Sequence, residues 1–176
     1  MCACAGLKGE YNMSDYQTLT HGFPPVYDDN SRILILGSFP SVKSREVQFY
    51  YGHPRNRFWN VLAAVLNKDV PASVPGRKAF LLENHIALWD VIEKCDIIGS
   101  GDSSIKNVIP TDLSIILDAA PVRGIFCNGA AAYKFFNKYQ AGKTGREAVR
   151  LPSTSPANAA WSPEDLAAEW RDKLLF

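Results

Sequence analysis

The chain of 176 residues is 47% hydrophobic and 21% charged. That is the balance of a folded globular protein rather than a disordered or fibrous one, at a length that suits one compact domain with a real core. A net charge of +1 and a pI near 7.7 exclude a strongly basic domain that grips nucleic acid through its overall charge, so contact with such a polyanion has to be local.

Residues 1–12 are mixed in character and Met13 offers a second start, so a disordered extension is expected ahead of a single domain spanning 13–176. No apolar run approaches the ~20 residues of a membrane span, and the basic and apolar regions of a secretory signal are missing. The expectation is a cytoplasmic protein with no membrane partner. Cys2 and Cys4 have no histidine or further cysteine beside them, and Cys95 and Cys127 lie far away. Neither a disulfide framework nor a metal site is predicted.

The aromatic and proline residues of the segment from His21 to Tyr27 predict a fixed loop packed on the domain. Arg32-Ile33-Leu34-Ile35-Leu36 is a continuous apolar run ended by Gly37, which predicts a strand buried on both faces of a parallel sheet. The loop beyond it is a candidate site, since open α/β sheets gather ligands outside the carboxyl ends of their strands. Phe58, Val61, Leu62 and Val65 recur at helical spacing within 57–66, before a break at Pro71 and Pro75, and a further helix is expected over 76–84.

Ile86 to Val91 predicts a second central strand, followed by a Gly/Ser-rich loop over 99–104 and a helix over 112–119. A third strand is expected at 124–127, a helix at 129–139, a short fourth strand at 149–152 and a loop at 153–160. Pro163 to Leu174 closes the chain as an amphipathic helix with Leu166, Trp170 and Leu174 inward. Strands alternating with helices define an α/β fold, a three-layer sandwich with a central, mainly parallel four-stranded sheet flanked by helices.

Three segments carry chemistry. In Gly37-Ser38-Phe39-Pro40-Ser41-Val42-Lys43-Ser44, glycine allows a sharp turn while Ser41, Lys43 and Ser44 offer donors to an anion. Phe49-Tyr50-Tyr51-Gly52-His53-Pro54-Arg55-Asn56-Arg57-Phe58-Trp59 concentrates side chains that stack and hydrogen-bond just before a helix. Phe58 and Trp59 belong to the core on this reading, whereas Tyr51, His53 and Asn56 belong to a site. In Leu151-Pro152-Ser153-Thr154-Ser155-Pro156-Ala157-Asn158, hydroxyls beyond a strand end suit phosphate oxygens, which Ser and Thr grip as readily as cations do.

Strand, Gly-x-x-Pro, His-Pro-x-Asn-Arg-Phe-Trp and Leu-Pro-Ser-x-Ser, in that order, resemble the mismatch-specific branch of the uracil-DNA glycosylase superfamily. The first two segments are most similar to its hypoxanthine-DNA (deoxyinosine) glycosylases. The likeness runs from about His21 to about Trp161. It implies a cofactor-independent, metal-free repair enzyme, acting as a monomer on double-stranded DNA that contains a deaminated or mismatched base. Two departures stand out. Most of the superfamily carries Asp or Asn, which serves the attacking water, where this chain has Phe39. The position of the wedge that fills the space of the flipped nucleotide is Ala157, too small for the task.

The resemblance therefore implies Asn56 as the residue that orients water through its amide oxygen, with His53 either stabilising the departing base as a cation or ordering its loop. Tyr51 is expected to stack on the flipped base beside Phe39. Asp90 is expected either to read the base edge or to serve as a helix cap or structural carboxylate. Ser41, Lys43, Ser44, Ser153 and Ser155 are the phosphate candidates, with Arg55 or Arg57 assisting, and Pro156, Ala157 and Asn158 form the DNA-insertion loop. Two other readings remain: a glycosylase for uracil or thymine opposite guanine, and a catalytically silent nucleic-acid-binding module.

Overall fold

The computed structural model describes residues 15–174, so the expected extension over 1–12 and the Cys2–Cys4 pair lie outside the described residues. The first strand among the described residues is β1 (Gln17–Thr20), and the chain enters the core at β2 (Ile33–Gly37), where Leu34, Ile35 and Leu36 are each 0% exposed. Burying such side chains contributes about 1.5–3 kcal/mol apiece. With both faces of β2 covered, the uninterrupted apolar run is the pattern that a central parallel strand demands.

Helices α1 (Val42–Val47), α2 (Phe58–Leu66) and α3 (Val74–Glu83) lead to β3 (Ile86–Asp90), which pairs in parallel with β2. After β4 (Ile92–Ile97), a 3₁₀ turn (Asp102–Ser104), β5 (Lys106–Pro110) and α4 (Ser114–Leu117), the chain returns to β6 (Gly124–Asn128) on the opposite side of β2. Then come α5 (Ala130–Tyr139), α6 (Ala141–Thr144), β7 (Ala148–Leu151) and α7 (Pro163–Leu174). The main sheet has the order β3-β2-β6-β7 with every pair parallel. Because the connections run outward from β2 in opposite directions, right-handed crossovers put their helices on opposite faces and make three layers. Helix α7 packs on α2, with Leu166, Trp170 and Leu174 buried as its periodicity predicts.

A second sheet, antiparallel with order β1-β4-β5, was not foreseen from the sequence. β4 follows β3 after one residue and reads as its tail. β1 is largely exposed, and β5 ends in Pro110 and holds Asn107 at φ 52°, so neither carries a clean alternation. The helix expected over 112–119 shrinks to the four residues of α4, started by Asp112, which accepts the Ser114 N–H at 3.1 Å, and stopped short of Pro121. Helix α3 begins at Val74 rather than 76, because Ser73 caps it through the Gly76 N–H and Pro75 sits in the first turn, where a missing N–H costs nothing. Among the described residues no helix is long and apolar enough to cross a membrane.

Candidate active site

In this strand order the chain leaves the carboxyl ends of β2 and β6 in opposite directions, and the gap between them is the place an α/β sheet offers a ligand. A cavity of about 210 Å³ opens there. The loop after β2, the turn from Tyr50 to Asn56 and the loop after β7 all line it, together with Asp90 from the end of β3 and Asn128 from the end of β6. The three segments singled out in the sequence thus converge on one cleft. A volume of this order fits a single heterocycle better than a drug-sized ligand, for which 300 Å³ or more is usual.

Gly37 forms the floor. A Cβ there would lie 2.2 Å from Asp90 Oδ1 and 3.1 Å from the Tyr51 hydroxyl, so only glycine lets both groups close over the strand end. Asp90 is 5% exposed and its Oδ2 accepts from His21 Nε2 at 2.9 Å. The His21 ring is itself wrapped by Phe23, Phe39 and Tyr50. A buried carboxylate needs such a partner. The helix-cap alternative for Asp90 falls away, since the chain runs on into β4. Its remaining oxygen, Oδ1, lies over Gly37 at the base of the cavity.

Asn56 is half-buried and lines the cavity. Its Oδ1 accepts the Phe58 N–H at 2.9 Å, which starts α2, and the Thr154 hydroxyl at 3.0 Å. Thr154, 0% exposed, accepts in turn from Asn128 Nδ2 at 2.9 Å and returns its own N–H to Asn128 Oδ1 at 3.0 Å. One buried hydroxyl therefore locks the two asparagines of the cavity to each other. Both lone pairs of the Asn56 oxygen are engaged, which leaves its NH₂ as the group free to act. The expected role, orienting water through the amide oxygen, does not fit this geometry.

Tyr51 stacks on Phe58 with ring centroids 3.9 Å apart, so that face is closed to any base. Its hydroxyl is shut off from solvent with no well-formed hydrogen bond. Burial and the Asp90 carboxylate push its phenol up, while Asn128 nearby acts the other way. Phe39 is 8% exposed and forms part of the wall. His53 also lines the cavity, but its Nδ1 accepts the Arg55 N–H at 3.1 Å. This bond ties the ring to its own turn, the loop-ordering alternative for His53, and leaves Nε2 as its other hydrogen-bonding atom. Phe58 and Trp59 are core residues, 0% and 3% exposed.

The anion candidates separate into two sets. Ser41, Ser44, Ser153 and Ser155 line the cavity, and Ser44 differs from the others in how its hydroxyl is used. The hydroxyls of Ser153 and Ser155 accept the backbone N–H groups of Ser155 and Ala157, both at 3.2 Å, which leaves each hydroxyl proton free for an anion. Ser44 is 3% exposed and its hydroxyl holds the Gly52 N–H and Ser41, so it braces the loop and is not available to a phosphate. Lys43 points away from the cavity and pairs with Glu46 at 2.6 Å.

Arg55 is exposed and lies outside the cavity lining, while Arg57 donates to the carbonyls of Thr154, Ser155, Asn158 and Trp161. Arg57 thus holds the loop after β7 with four of its five N–H donors. Pro156 and Ala157 form an exposed tip. Asn158 turns back to donate to Ser153 O at 2.9 Å, so it does not stand in for the missing wedge.

Four cavity or cavity-supporting residues escaped the sequence reading: His21, Asp102, Asn128 and Thr154. Asn128 directly follows the strand predicted at 124–127, and the strand-end rule was enough to find it. Thr154 sat inside a recognised segment. Asp102 came from a Gly/Ser-rich loop with no signal at all. It reaches the cavity because the tip of the β4–β5 hairpin is tied to the loop after β2. The Ser38 hydroxyl donates to Asp102 Oδ1 at 2.7 Å, the Val42 N–H to Ser100 Oγ at 2.9 Å, and Arg45 to Gly99 O at 3.4 Å.

The family model for the uracil DNA glycosylase superfamily matches residues 24–175, and the chain belongs to that superfamily. Among curated proteins it is similar to a hypoxanthine DNA glycosylase of Methanosarcina barkeri, 37% identical over 139 residues, which covers 78% of this chain and 87% of the relative. A second protein of that description, from Methanosarcina acetivorans, is 35% identical over 154 residues, covering 86% and 96%. Among solved structures it is similar to a candidate uracil DNA glycosylase from M. acetivorans determined by solution NMR, with a TM-score of 0.73 and 34% identity, covering 89% of this chain and 98% of that one.

Proposed function

We propose that the protein hydrolyses the N-glycosidic bond of a deaminated base everted from duplex DNA, hypoxanthine above all, and leaves an abasic site. The observation that carries this reading is the convergence of the three segments on one small cavity with Asp90 at its base and Asn56 in its wall. The two Methanosarcina relatives that bear the name hypoxanthine DNA glycosylase support the choice of base. A mispaired base costs least to extrude, which selects deaminated bases before any contact in the pocket.

Once seated, the base lies against Phe39 and the open side of Tyr51. Aromatic contact of this kind is worth about 1–3 kcal/mol per base. The Asp90 carboxylate, held by His21, accepts the N–H that hypoxanthine carries beside its carbonyl; adenine has an acceptor nitrogen at that place and is repelled. The Asn56 NH₂ and the His53 Nε2–H donate to the base as negative charge builds on it, the preorganised stabilisation that contributes most to such reactions. Ser41, Ser153 and Ser155 hold the flanking phosphates, and the enzyme acts as a monomer without metal or cofactor.

The test is a panel of duplexes that contain inosine, uracil opposite guanine, or thymine opposite guanine, each incubated with the purified protein and then cleaved with alkali. Faster cleavage of the inosine strand than of the other two is expected. Preference for uracil or thymine would favour the mismatch-specific alternative, and binding without cleavage of any strand would favour a silent module.

A further inference from the structure

We infer that Asp102, brought in by the hairpin between β4 and β5, binds and deprotonates the water that attacks the sugar; the assignment rests on the glycosylase reading above. The hydrolysis needs an acceptor for a water proton near the sugar, and most acceptors in the cavity are engaged. The Asn56 oxygen takes two hydrogen bonds, the Asn128 oxygen takes the Thr154 N–H, and Phe39 has none to offer. Asp90 lies deep, with one oxygen on His21 and the other over Gly37.

Asp102 differs from all of them. It lines the same cavity yet stays exposed, so it stands at the mouth, where the sugar of an everted nucleotide remains while its base goes in. The Ser38 hydroxyl fixes Oδ1, and Oδ2 has no hydrogen bond among the described residues. The protein atoms packed around the carboxyl raise its pKa above the ordinary carboxylate value, the Ser38 hydrogen bond opposes this and the Asp90 charge adds to it; the net rise makes it a better base. A carboxylate at the mouth of a site that must admit a polyanion opposes binding, so its presence there calls for a chemical role.

The step balances as a simple hydrolysis. Water oxygen bonds to C1′ while the C1′–N bond breaks and its electron pair leaves with the base. Asp102 takes the water proton, and the released base regains a proton from solvent.

The experiment compares wild type, Asp102→Asn and Ser38→Ala on an inosine duplex under single-turnover conditions, alongside duplex binding and thermal melts. Asp102→Asn is expected to slow base release by at least ~100-fold, in the range of a lost general base, while binding the duplex as tightly as wild type or tighter. Asp102→Asn keeps an oxygen that accepts the Ser38 hydroxyl, whereas Ser38→Ala cuts that tether but keeps the carboxylate and is expected to lose far less. An Asp102→Asn rate within a few-fold of wild type, or equal losses in both variants, would overturn the assignment and leave the glycosylase reading standing. Wild type that releases no base from any lesion would overturn that reading and this assignment with it.

Discussion

Thr154→Val probes the architecture of the site without changing its shape. Valine matches threonine in volume but has no hydroxyl, so the variant deletes the bond to Asn56 Oδ1 and removes the acceptor of Asn128 Nδ2 at a position with 0% exposure. Asn56 keeps the Phe58 N–H and the Asn128 oxygen keeps the backbone N–H of residue 154, whereas the Asn128 NH₂ loses its acceptor. An orphaned buried donor costs about 1–3 kcal/mol. Taking about 2 kcal/mol, the melting temperature of a chain this size should fall by about 4–8 °C. The Asn56 amide would also be fixed on one side only, and a loosened group of this kind costs about 10- to 100-fold in rate. Thermal melts and single-turnover base release measure the two effects, and Thr154→Ser, which keeps the hydroxyl, should recover most of both. A valine variant as stable and as active as wild type would refute the claim that this hydroxyl positions Asn56 for the proposed reaction.

Gly37→Ala puts a methyl group 2.2 Å from Asp90 Oδ1, and the overpacking should destabilise the fold by about 1–3 kcal/mol in urea unfolding and displace the Asp90 carboxylate from over the strand end. Tyr51→Ala should weaken binding to lesion-bearing duplex more than to undamaged duplex in a titration; equal losses would place Tyr51 outside the base pocket. Arg57→Leu removes the donors that hold four carbonyls of the loop after β7, and faster proteolytic cleavage within 153–161 is expected, with little change in the salt dependence of DNA binding, because four of the five N–H donors of Arg57 are taken up by that loop.

The parallel sheet was legible because its strands are buried on both faces and leave uninterrupted apolar runs, as at Ile33–Leu36. The antiparallel sheet was not, since β1 and β5 are half-exposed and owe their pairing to β4 across the chain rather than to their own pattern. In the site, residue type was informative at the strand end for Asp90 and the serines after β7, and in the turn ahead of α2 for Asn56. Role was less so. Whether a hydroxyl or amide faces a ligand or braces a loop depends on partners far away in sequence, such as Thr154 for Asn56 and the carbonyls of 154–161 for Arg57. Asp102 shows the same limit most clearly, since only the tethering of one loop to another brings it to the cavity.

The most direct measurement is the amount of free base released from an inosine-containing duplex by excess protein, quantified by chromatography for wild type and Asn56→Ala. Wild type should release one equivalent of hypoxanthine per inosine, and Asn56→Ala, still folded by its melt, should release almost none. No free hypoxanthine from wild type, or undiminished release from Asn56→Ala, would contradict the account.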